Sequence, residues 1–207
     1  MELLHDIALQ IPWLFYRTDR WFEGLESSAS NDSNRQEISD SPNHNLETAL
    51  SLLNDYWAVF DLMEEWQNNW KASEQGPLYW HSDIPMPSKV IDVDSVCIPT
   101  FPDDTYQVRF QNTQKAGLAV TFWSFRLELL MGMIKLQRSL SGSQAESLEQ
   151  NLAVAEETAC LILQTAPYLT CCFEGAVASK APLRTIKRYF ELGAFMDKSK
   201  GLISSNV

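Results

Sequence analysis

The sequence predicts an all-α fold: a multi-helix bundle of about five main helices, carrying a long Pro-rich extended segment. Three observations predict it. Apolar residues recur at helical spacing over several stretches of twenty or more residues. Gly and Pro gather between those stretches instead of punctuating short alternating runs. At 207 residues with 45% hydrophobic and 21% charged side chains, the chain can bury a substantial core. A single domain over residues 1–207 fits that length.

The first helix is expected over residues 2–25. Leu3, Leu4, Ile7, Ile11, Leu14 and Phe15 share a face, Pro12 should kink the helix or begin its second half, and Gly24 offers a stop. Residues 27–45, SSASNDSNRQEISDSPNHN, are nearly devoid of large apolar side chains and predict a mobile loop. Residues 46–72 predict a second helix. Leu46, Leu50, Leu53, Trp57, Phe60 and Glu64 form its stripe, followed by Trp66 and Trp70.

Residues 73–104 hold Pro77, Pro85, Pro87, Pro99 and Pro102, a density that forbids a long helix. Ile84, Val90, Ile91 and Val96 are interleaved, so the stretch reads as an extended strap without regular sheet. Residues 105–140 predict a buried central helix, apolar all round through AGLAVTFWSFRLELLMGMIKL. Ser141–Gly142–Ser143 should end it, and Ser143 with Glu146 resembles a capping box for a helix reaching about Gln164 and stopping near Pro167. A last helix should begin at Pro182 and run through Phe195.

Charge and cysteine usage bound the function. A net charge of −11 repels a phosphate backbone, which disfavours direct nucleic-acid binding. Cys97, Cys160, Cys171 and Cys172 lack metal-ligand spacing, so they read as reduced thiols, with no metal and no cofactor expected. The N-terminus has no basic n-region, and no uninterrupted apolar run approaches membrane-spanning length. The expectation is a soluble, intracellular protein of nucleus or cytoplasm without membrane contact.

Several constellations are weighed for chemistry. Asp61, Glu64 and Glu65 cluster on the second helix, where paired carboxylates in a dry cleft could split their pKa values. A solvated acidic face is the plainer account. Tyr79, Trp80, His81, Ser82 and Asp83 crowd one segment, and His81 and Asp83 could share a face for acid–base work. A solvated loop is the plainer account. Arg126 interrupts the most apolar helix and needs an anionic or carbonyl acceptor: Asp61, Glu64, Glu128 or a ligand. Lys180, Arg184, Lys187 and Arg188 form a basic stripe, the one plausible anion patch in an acidic chain, with a solvated face or pairing with the acidic second helix as the plainer account. Phosphate-loop, nucleophile-elbow and zinc-protease motifs are absent.

The run from Cys160-Leu-Ile-Leu-Gln-Thr-Ala-Pro-Tyr to Leu169, then Gly175, Ala181-Pro-Leu-Arg184 and Tyr189-Phe190, resembles the C-terminal helical region of fungal zinc-binuclear-cluster transcription regulators. Trp123-Ser-Phe-Arg126 and the opening LLHDIALQIPWLFYRTDR are similar to earlier helices of that region, so the resemblance covers most of residues 3–197. It departs at the zinc cluster, whose six cysteines have no counterpart. The resemblance therefore implies only the regulatory half: a helical domain in fungal gene control, with secondary metabolism among the settings it implies, that binds a partner protein, an apolar small molecule or a second copy of itself. A different class stays open, a cofactor-free cyclase or isomerase acting on a hydrophobic metabolite. Its pocket would take Trp57, Trp66, Tyr79, Trp80, Trp123 and Arg126 as ligand contacts, with His81, Asp83, Asp61 and Glu64 as weak catalytic candidates. An enclosed aromatic pocket holding two or more of the polar groups favours the enzyme, and a filled core favours the regulator.

Overall fold

The computed structural model describes residues 3–30, 42–85, 92–93, 96–97, 106–140, 145–171 and 173–204. Chain order is α1 (Leu4–Ala8), α2 (Ile11–Ser30), α3 (Pro42–Ser73), β1 (Trp80–Pro85), β2 (Asp92–Val93), β3 (Val96–Cys97), β4 (Tyr106–Arg109), α4 (Thr113–Ser139), α5 (Ala145–Leu169), α6 (Phe173–Ala178) and α7 (Lys180–Ser204). Five of these helices have 20 residues or more, so the fold is all-α with a minor β component.

Element boundaries depart from the sequence expectations for identifiable reasons. Pro12 sits in the first turn of α2, where its missing N–H costs nothing, and the chain breaks at Leu9–Gln10 just before it. Gly24 does not stop α2, which runs to Ser30, and α3 already begins at Pro42. The expected loop over 27–45 is thus helical at both ends, and residues 31–41 lie outside the described residues.

The strap is not free of sheet. β1 pairs antiparallel with β4, with Trp80 opposite Arg109, His81 opposite Val108 and Pro85 opposite Tyr106, and β2 pairs antiparallel with β3. An irregularity between His81 and Pro85 is filled by a local turn in which the Ile84 amide donates to Ser82 Oγ at 3.1 Å. Consequently the central helix begins at Thr113 instead of near 105. Residues 106–109 pair with β1 as a strand, and Asn112 Oδ1 accepts the Lys115 amide at 2.9 Å, a side-chain cap that fixes the helix start.

The expected stops at Ser141–Ser143 and the capping box of Ser143 lie outside the described residues. α5 passes through Pro167 and ends at Leu169, because a proline two residues from the end removes a single helical hydrogen bond. Pro182 occupies the first turn of α7, and the short α6 precedes that helix.

The chain forms two compact units. Unit 1 comprises residues 1–72 and 128–155, and unit 2 comprises residues 73–127 and 156–207. Both α4 and α5 are divided between them.

In unit 1 the core gathers Leu4, Ile7, Ile11 and Leu14 with Leu52, Leu53, Val59, Met63, Leu130 and Met133. The buried stripe of α3 is Ala49, Leu52, Leu53, Tyr56, Val59, Phe60 and Met63, rotated about one residue from the expected stripe, whose Leu46 is exposed and whose Trp57 is half-buried. Trp57 instead packs edge-on against Phe60 with centroids 5.6 Å apart. Buried Gln137 and Asn151 satisfy each other across α4 and α5 at 3.0 Å, and Gln137 also donates to Ser147 at 2.8 Å.

Among the described residues, α4 alone is long and apolar enough to cross a membrane by length and composition. Its most apolar window is 67% buried within the protein, which is where the core helix of a helical bundle stands.

Candidate functional site

Unit 2 draws two of the sequence-nominated residues, Tyr79 and Trp123, into one aromatic cluster. Tyr79 leaves the bend after α3 and meets Trp123 of α4 edge-to-face at 5.5 Å, and Phe110 lies 5.9 Å from Tyr79 and 6.1 Å from Trp123. Tyr168 of α5 continues the cluster at 6.2 Å from Phe110 and donates its hydroxyl to the Phe110 carbonyl at 3.2 Å. Trp123 retains only 2% of its surface, and Phe110 is buried beside it.

Two guanidiniums border the cluster. Arg109 stands over the Tyr168 ring at 5.7 Å, a cation–π contact, while its buried Nε has no hydrogen-bond partner among the described residues. Arg126 is half-buried and reaches Thr158 Oγ1 from Nη1 at 3.5 Å. Burial pushes the Tyr79 phenol above its ordinary value, Glu157 pushes it in the same direction, and Arg126 pulls it back. Tyr79 therefore stays a neutral hydrogen-bonding group at neutral pH. The Cys160 thiol is likewise raised, by burial first and then by Glu156 and Glu157, which leaves it a poor nucleophile.

The other nominated residues do not join this cluster in unit 2. Trp80 and Asp83 are exposed on β1, and His81 is exposed with its ring 6.4 Å from Tyr79. Trp57, Asp61, Glu64 and Trp66 belong to α3 in unit 1. There Asp61 is exposed, Glu64 is half-buried, and Trp66 packs on Trp70 at 5.4 Å. Arg109 and Phe110 were missed because residues 105–112 read as helix, and Tyr168 because nothing local to α5 marks its pairing with Phe110.

Unit 1 presents a second feature, an exposed apolar face. Leu9, Trp13 and Tyr16 are 74%, 59% and 55% exposed, and the Trp13 and Tyr16 rings stack at 5.5 Å with only 23° between their planes. Leu3 at the start of α1 is exposed as well. The signal was legible: Ile7, Ile11 and Leu14 already supply a complete inner face, so Leu9, Trp13 and Tyr16 form a surplus apolar face on the outside.

Neighbouring positions of α2 bond to α3 and α4. Arg17 pairs with Asp55 of α3 at 2.5 Å. Lys135 of α4 reaches Asp19 at 2.9 Å and lies 4.5 Å from the centroid of Phe22. Thr18 shares a buried hydrogen bond with Tyr56 at 3.2 Å.

No protein-family model, curated protein or solved structure matches this chain.

Proposed function

We propose that this protein is a regulator-like helical domain without a DNA-binding module of its own, acting through a partner protein in fungal gene control. The observation that carries the reading is the stacked, exposed Trp13–Tyr16 pair on α2, with Leu9 also exposed at the end of α1. Trp and Tyr are the side chains that dominate the energetics of protein interfaces, and a contiguous exposed apolar group marks an interaction surface. The aromatic cluster of unit 2 supports the same side: Trp123 and Phe110 are buried among neighbouring rings, as in a packed core. The enzyme alternative draws less support, since His81, Asp83 and Asp61 are exposed. The net charge of −11 supports a partner other than duplex DNA.

A photo-crosslinking residue placed at Trp13, with the protein expressed in fungal cells, tests the reading. The expected result is one discrete protein adduct that disappears when Tyr16→Ala is added. A Tyr16→Ala chain that melts as the parent does and keeps the same adduct overturns the assignment of this face. Sequence-selective duplex binding by the purified chain overturns the regulator-without-DNA reading itself.

A further inference from the structure

The outer face of α7 is basic in a chain that is otherwise strongly acidic. Pro182, Leu183, Thr185 and Ile186 are buried, while Lys180, Arg184 and Arg188 are exposed and Lys187 is half-buried. At about 100° per residue the four cations fall within an arc of roughly 100°, opposite the buried residues. Among the described residues, no carboxylate pairs with Lys180, Arg184 or Lys187.

The stripe runs against the grain of local helix electrostatics. The N-terminal turn of a helix favours acidic side chains, yet the first turn of α7 has none and begins with Lys180. The cations repel one another and the helix end, so folding alone does not favour their placement. An exposed apolar neighbour accompanies them: Val177, three residues before Lys180 at the end of α6, is 51% exposed.

We propose that the outer face of α7 receives an acidic, amphipathic helical segment of a partner protein. Lys180 and Arg184 are about 6 Å apart along the axis, the spacing of carboxylates at every fourth position of a facing helix, and Lys187 extends the same face. Val177 supplies an apolar contact that an amphipathic segment can cover and a purely charged chain cannot. Nucleic acid is the less suitable occupant. Of the 16 Lys and Arg, four lie in this stripe, leaving 12 against 27 Asp and Glu over the rest of the chain. A polyphosphate extending past the roughly 12 Å stripe meets that acidic surface, whereas a two-turn segment is confined to the stripe. The surface is independent of the α2 face, and either assignment survives the loss of the other.

The test uses the full chain and a fluorescent synthetic helix with Glu at every fourth position flanked by Leu. Its controls are the same helix with Lys in place of Glu, a single-stranded oligonucleotide of equal charge, and vesicles rich in anionic lipid. Binding is expected for the Glu helix alone, weakening with added salt. The triple substitution Lys180→Gln, Arg184→Gln and Lys187→Gln should weaken it about tenfold or more. Arg184→Lys should retain most of it, and thermal melts of every variant should match the parent. The proposal is overturned if the triple variant binds the Glu helix as well as the parent, if the parent does not bind it, or if oligonucleotide or vesicles bind more tightly.

Discussion

The phenol of Tyr56 occupies the space that a side chain on Gly132 would need. A Cβ built at Gly132 falls 2.4 Å from Tyr56 Cε1, 2.5 Å from Cζ and 2.6 Å from the hydroxyl oxygen. α3 and α4 approach closely within unit 1 because one of them offers a bare backbone to the other's ring. The ring is fully buried, and its hydroxyl is tied to Thr18 of α2, so a single tyrosine joins three helices.

Gly132→Ala is therefore expected to destabilise the protein. Overpacking should cost about 1–3 kcal/mol, more than the roughly 1 kcal/mol that alanine's helix preference returns. The check is denaturant unfolding, with a lowered midpoint expected at an unchanged slope. A midpoint equal to or above the parent's shows that the Tyr56 ring has room to move.

Tyr56 also predicts an alkaline loss of stability. Its phenol is pushed up to about 12 in the folded protein, mainly by burial, with the Thr18 hydrogen bond opposing and Asp19 reinforcing the shift. The ordinary value is 10.0, so between pH 10 and 12 the unfolded chain releases this proton first. Stability present below pH 10 is lost as pH rises, with a slope approaching about 1.4 kcal/mol per pH unit. Subtracting the profile of Tyr56→Phe from that of the parent isolates this contribution. Parallel profiles from pH 9 to 12 contradict the assignment.

Trp123→Ala should cost about 3–5 kcal/mol, since it opens a cavity between Tyr79 and Phe110 that the surrounding rings cannot close. A loss below about 1 kcal/mol in chemical denaturation is incompatible with a packed aromatic core.

Gly76 holds φ at +103° in the bend between α3 and β1, with nothing within 4 Å of the position its Cβ would take. Gly76→Ala should thus carry a backbone cost alone, about 1–3 kcal/mol. Gly76→Asn should be milder than Gly76→Ala, because asparagine tolerates positive φ better. Thermal melts that rank the two variants in the opposite order contradict a purely backbone origin.

The all-α class and its five long helices were legible in the sequence, because helical periodicity is a local property that neighbouring residues enforce on one another. Pro182 was legible as an early-helix position and Pro12 as a kink or a new helix start, of which the structure shows the second, since proline's fixed φ and missing N–H act wherever the residue occurs. Only the tertiary structure decided that Tyr56, not Trp57, centres the buried stripe of α3. A rotation of one residue is settled by the bare backbone of Gly132, 76 positions away, and not by any pattern within α3. β1 and β4 likewise depend on partners more than twenty residues apart, and apolar residues between prolines do not encode such a pairing locally. The outward placement of Trp13 and Tyr16 lies between these cases. The sequence put apolar residues on two faces of α2, and packing against the rest of unit 1 decided which face met solvent.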